Sequence, residues 1–165
     1  MFNRKPFALK TVFITVFLIV AAGILLMLVL ALLSKSGKPP GLVAGKLSIC
    51  PDKPNCVSSE QYNDAGHYLE PVALQSAASP DPLTVIKGVI ADMGGVIQAQ
   101  DSGYIAATFS SPVFGFVDDL EVRVDPGERL VHIRSASRVG YGDAGVNRKR
   151  VERFRKLYAE TAAVE

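Results

Sequence analysis

Cysteine and histidine are scarce in this chain, two of each in 165 residues. That leaves little from which to build a metal centre. A structural zinc takes about four ligands, two thiols would need two more, and the nearest histidine is His67. Nor is there a GxSxG or an HExxH, which counts against a hydrolase, and the glycine-rich loop Gly140 to Gly145 is not a Walker or Rossmann pattern, so its signal for an anion is weak. No metal and no cofactor is expected. Neither sign of charge dominates, with 18 basic residues against 16 acidic and a formal net charge of +2.

Charge and proline are both absent from Thr11 to Leu33, a run of 23 residues. As a helix rising ~1.5 Å per residue it would span about 34 Å, enough to cross a bilayer core. A cleaved signal peptide is the rival reading, because Arg4, Lys5 and Lys10 precede the run. The run is too long for a typical signal core, and Leu30-Ala-Leu-Leu-Ser has no clear small-x-small cleavage site. The expectation is therefore an uncleaved signal anchor: basic segment 1–10, transmembrane helix 11–33, linker 34–46 rich in Gly, Pro and Lys, and a folded domain 47–162. The anchor would cross the inner membrane once with its N-terminus cytoplasmic and the domain extracytoplasmic, its first partner being the lipid bilayer along Thr11 to Leu33.

Cys50 and Cys56 bracket CPDKPNC, where Pro51, Asp52, Pro54 and Asn55 favour a turn. Outside the cytosol a disulfide is the expected state. One short strand is read near Tyr68 to Leu74, and His67 reads as held in place by hydrogen bonds. Leu83, Ile86, Val89, Ile90 and Met93 recur at helical spacing behind a cap at Ser79 or Asp81 and a proline at the first helical position. Strands follow at Val96 to Gln100 and Tyr104 to Ser110 around Asp-Ser-Gly. The class is α+β: an antiparallel sheet of about four strands with two helices on one face, in the order α-β-β-β-β-α.

Phe116 to Arg150 carries the charges. With Asp125-Pro-Gly-Glu128 as a tight turn, Val122 would face Val131 and Leu120 would face Ile133 on an apolar face. Glu121 would meet His132 and Asp119 would meet Arg134 on the other. Such cross-strand pairs contribute roughly 0.2–1 kcal/mol each. Asp118 shares the parity of Leu120 and Val122 and so needs a buried partner, with Arg138, Arg148 and Arg150 the candidates. The last helix, capped by Asp143 or Asn147, crowds Arg148, Lys149 and Arg150 into its first turn, against the helix dipole. Residues 134–156 hold eight basic groups against two acidic, whereas 47–133 hold four against twelve. The basic end is satisfied either internally, by Asp118, Asp119 and Glu121, or externally, by an anion.

Three blocks, CPDKPNCVSS, FVDDLEVR and RSASRVGYGDAGVNRKR, resemble the signature of the family of unknown function numbered 1499, over about Ser48 to Tyr158. The resemblance implies a small domain, often membrane-anchored or exported. It supplies no activity and no catalytic residue. It does mark Asp118, Asp119, Glu121, Arg134, Ser135, Ser137, Arg138, Asp143, Asn147 and Arg150 as motif positions.

Three readings follow. The first is a membrane-anchored domain whose arginines Arg134, Arg138, Arg148 and Arg150, with Asp118, Asp143 and Asn147 beside them, bind an anionic small molecule or an acidic protein. The second is a hydrolase using Asp118 or Asp119 with His132 and the arginines. The third is a structural scaffold of a membrane complex. No nucleic acid is expected for a domain on the outer side.

Overall fold

A computed structural model describes residues 6–75 and 81–162. Ser79, one of the two expected caps, and Arg4 and Lys5 of the basic segment lie outside those residues. Helix α1 (Pro6–Ser36) contains one stretch, Leu9–Ser36, long and apolar enough to cross a membrane. It continues three residues past the expected end of the span. The stretch expected as a linker then carries β1 (Leu42–Val43) and β2 (Lys46–Leu47), paired as a two-stranded hairpin.

The rest of the chain forms β3 (Cys56–Ser58), β4 (Val72–Ala73), α2 (Pro82–Asp92), β5 (Val96–Asp101), β6 (Tyr104–Ser110), β7 (Val117–Asp125), β8 (Leu130–Ser137) and α3 (Val146–Ala162). The sheet runs β3-β8-β7-β6-β5, all antiparallel, with β4 also paired to β8. Four long consecutive strands make the body of this α+β domain, as expected. Two short strands on the outer side of β8 raise the count to six. β5 is the free edge at the other side; it is exposed along its whole length and bulged between Ile97 and Ala99.

One face of the sheet holds the core. Ile105 and Ala107 of β6, Leu120 and Val122 of β7 and Val131 and Ile133 of β8 meet Ile86, Val89 and Ile90 of α2 and Val151, Phe154 and Tyr158 of α3. The period-2 and period-3.6 patterns coincide here, which is why both helices cover one face. At the cap of α2 it is the Asp81 carbonyl, not its carboxylate, that accepts the first helical N–H groups. A Cβ at Gly88 would meet nothing within 4 Å, so close packing does not account for that glycine. At Gly95 a Cβ would come within 2.7 Å of both the Phe109 and Ile90 side chains, so any other residue would force one of them to shift.

The β7–β8 register differs from expectation by two residues. Glu121 pairs with Arg134, Val122 with Ile133, Arg123 with His132 and Asp125 with Leu130. The tight two-residue turns that join hairpin strands need positive φ at their first central position, and the ring of Pro126 forbids it. The loop therefore widens to four residues, closed by Arg129 at φ 56 and by the Asp125 side chain accepting the Glu128 N–H. A shift of two preserves parity. Each side chain stays on its expected face while its partner changes.

The second difference concerns the charged face, which is not left to solvent. The end of α1, the β1–β2 hairpin and residues 58–60 lie over it, and Asp119, Glu121, His132 and Arg134 are all buried.

Candidate functional site

The charged face is a ladder of ion pairs. Glu121, with no exposed surface, accepts bonds from the Tyr104 hydroxyl at 2.7 Å, the Gly41 N–H at 2.9 Å and Arg134 Nη1 at 2.7 Å. Ala106, directly across from Glu121 on β6, leaves room for this cluster. Burial, reinforced by the adjacent carboxylate, pushes the Tyr104 phenol far above its usual range, so it remains a donor. One rung away, Arg138 embraces Asp119 with Nε and Nη2 at 2.7–3.1 Å and sends Nη1 to the Ser34 carbonyl at 3.1 Å. On the other side, Arg123 bonds Glu60, which also accepts the Leu47 N–H, and reaches Asp125 at 3.0 Å.

The helix face carries a smaller network. Arg150 Nη2 meets Asp118 at 2.6 Å, as its parity required, and the guanidinium lies 4.9 Å from the Phe109 ring centre. Asn147 is buried inside α3 and is not its cap. It accepts from Ser135 and Arg150 and donates to Ser137 and the Asn55 carbonyl. The cap is Asp143, whose carboxylate accepts the Gly145 and Asn147 N–H groups and supplies the negative charge that the basic first turn calls for. Arg148 donates to the carbonyls of Gly66 and Tyr68.

The four arginines thus do not form one patch. Arg134 and Arg138 belong to the charged face, Arg148 and Arg150 to the helix face, and each is bonded within the fold. The hydrolase constellation does not assemble either. Asp118 points to the opposite face from His132, and Asp119 pairs with Ala136, four residues and about 13 Å along the strand from His132. His132 instead meets Ser59 Oγ through Nδ1 at 3.3 Å, with Nε2 3.5 Å from Glu128. With Asp125 these two groups place their ligating atoms within 4.8 Å of one another, but both Asp125 oxygens are already engaged, by the Glu128 N–H and by Arg123.

Cys50 and Cys56 are joined as a disulfide. His67 fixes the loop between them, with Nδ1 2.6 Å from Asp64 and Nε2 2.9 Å from the Lys53 carbonyl. Both neighbours accept, so the doubly protonated ring fits best. The bond to Asp64 raises the His67 pKa above its ordinary 6.5, and the same bond lowers that of Asp64 below 3.8. The raised histidine contributes stability that is fully present below pH 6.5 and lost as pH rises through its folded value. The lowered aspartate contributes above pH 3.8 and loses its share as pH falls through its folded value. We predict that an NMR titration of the His67 ring gives a midpoint above 6.5 that moves back towards 6.5 in Asp64→Asn. An unchanged midpoint in that variant would disprove the clamp.

Glu60, Tyr104, Gly41 and Ser34 join Arg123 in the charged network, and nothing in the local sequence pattern of those four marks them. The available signal was compositional: a strand face alternating Asp119, Glu121 and Arg123 invites a cover of matching polar groups.

Beside this network, α1 packs through Met27, Leu30, Ala31 and Ser34, one stripe at helical spacing. The Val117 N–H donates to Ser34 Oγ at 3.1 Å. A Cβ on Gly37 would come within 2.9 Å of Arg138 Cδ, so the chain passes tightly over that guanidinium. Between α1 and the sheet lies an open cleft of about 340 Å³, lined by Met27, Leu30, Phe116, Asp118, Val139 and Val146 among others.

A family model described as "Protein of unknown function (DUF1499)" matches residues 46–157. No curated protein matches the chain.

Proposed function

The chain belongs to the DUF1499 family, and from that premise we propose that it is an uncleaved single-pass membrane protein working as a structural module at the membrane surface. Its N-terminus is cytoplasmic, and its domain lies on the outer side of the inner membrane. One observation carries this reading: the last turns of the anchor are part of the fold. Ser34 receives both the Val117 N–H and Arg138, and Ala31 and Ser34 are buried. Cleavage after the apolar run would strip those partners from the sheet. The disulfide supports an oxidising compartment.

The same bonding weighs against the alternatives. An anionic ligand would have to displace a carboxylate from Arg134, Arg138 or Arg150, and a hydrolase would need His132 beside Asp118, on the opposite face, or Asp119, about 13 Å along the strand. A scaffold needs neither, and it uses the charges as they stand.

The test takes the full-length protein in detergent and follows its melting temperature with phosphate, anionic headgroups and acidic sugars. Ligands of the folded state raise that temperature by mass action. We expect no rise. A concentration-dependent rise abolished in a folded Arg148→Ala variant would overturn the scaffold reading in favour of an anion site. For the topology, the N-terminal peptide should be recovered by mass spectrometry from membranes, and protease added to spheroplasts should digest the domain. A mature terminus beyond Leu33, or a protected domain, would refute the corresponding part.

A further inference from the structure

The packing stripe on α1 starts deep. The residues before it, Thr11 to Leu26, cover about 24 Å at ~1.5 Å per residue, short of a hydrocarbon core of ~30 Å. Met27 to about Leu30 must therefore stay in the bilayer for the span to be complete, yet Met27 and Leu30 are where the domain touches. The rim of the domain that reaches them is carried down to the same depth.

The composition of that rim matches. Val113, Tyr141 and Val146 are 80%, 72% and 45% exposed, an arrangement out of place in water and at home where apolar and aromatic side chains meet headgroups. All three sit in or beside the chain segments that line the cleft between α1 and the sheet. Met27 and Leu30 belong at once to the lipid-facing helix and to the cleft wall, so the cleft is continuous with the acyl-chain region. Its volume of about 340 Å³ takes part of one acyl chain, the rest of the lipid lying in the surrounding bilayer. Its polar lining includes Asp118, Ser137 and Asp143; these already accept from Arg150, from Asn147 and from the Gly145 and Asn147 N–H groups, and the two carboxylates keep further lone pairs for a headgroup bearing N–H or O–H donors.

We propose that residues 111–117 and 139–146 are embedded in the headgroup layer, and that the cleft they form with α1 holds one membrane phospholipid, its chain against Met27 and Leu30. This rests on the anchor reading above, and the experiment separates the two. The chain contains no tryptophan, so a single introduced one is a unique reporter. Full-length Val113→Trp, Tyr141→Trp and, as a mid-span reference, Phe17→Trp are reconstituted in phosphatidylethanolamine vesicles carrying chain-brominated lipid. Wild type and Val139→Trp are compared by native mass spectrometry from mild detergent.

We expect quenching at all three positions, strongest at Phe17, with one phospholipid retained per wild-type chain and retention reduced at least tenfold in Val139→Trp. Quenching at Phe17 alone would refute the embedded rim and leave the anchor standing. No quenching at Phe17 would remove the anchor and the inference with it. A quenched rim with no retained lipid, or with equal retention in Val139→Trp, would refute occupancy of the cleft.

Discussion

Glu121→Ala is expected to destabilise the protein by about 3–5 kcal/mol, the usual result of removing one partner from a buried ion pair. The carboxylate is wholly buried and has three donors; truncation strands Arg134, itself 5% exposed, together with the Tyr104 hydroxyl and the Gly41 N–H. Against a typical domain stability of roughly 5–15 kcal/mol, that is a large share of the whole. Urea unfolding of the full chain in detergent, followed by circular dichroism, measures it. A companion variant, Glu121→Leu with Arg134→Met, should recover most of the loss, because replacing both charges leaves no ion unpaired. A single-variant loss under about 1 kcal/mol would place the pair in the class of solvent-screened surface bridges instead.

Arg138→Ala should cost a similar 3–5 kcal/mol, for a different structural reason. Its guanidinium is bonded at once to the sheet, through Asp119, and to the end of α1, through the Ser34 carbonyl. Asp119 would be left 4% exposed with no guanidinium. Lysine should rescue little, since an ammonium cannot reproduce the forked contact with both carboxylate oxygens while also reaching Ser34. The decisive measurement is a double-mutant cycle with Asp119→Ala. A coupling above about 1 kcal/mol shows the pair acting as a unit, and additive losses would mean that the two residues contribute separately.

Much of the domain was legible because its patterns are local. The stripe Leu83, Ile86, Val89 and Ile90 specified α2 and its buried face, and the alternation of Ile105, Ala107 and Phe109 specified the inward side of β6. Asp118 announced a buried partner by parity alone, and Arg150 answers it. What escaped was set by distance along the chain. Cys56 to Ser58 has too few residues to show any alternation and is a strand because β8 offers it an edge. Glu60 reaches Arg123 across 63 residues, and the cover over Glu121 comes from Gly41, 80 residues away. The hairpin partners slipped by two because the rigidity of Pro126 was read as a reason to turn, when it also dictates how wide the turn must be. The candidate site suffered most: four arginines close in sequence were read as a patch, and a sheet separates them.

The exposed strand β5 bears on solubility. An unpaired strand edge offers a row of N–H and C=O groups on which another chain can add, and Val96 and Ile97 make this edge partly apolar. The bulge between Ile97 and Ala99 interrupts that row midway. For copies held in one membrane by α1, as proposed above, two-dimensional diffusion would keep local density high, where edge-to-edge polymerisation would be fastest. A bulged edge of this kind opposes the growth of such domains into a continuous sheet.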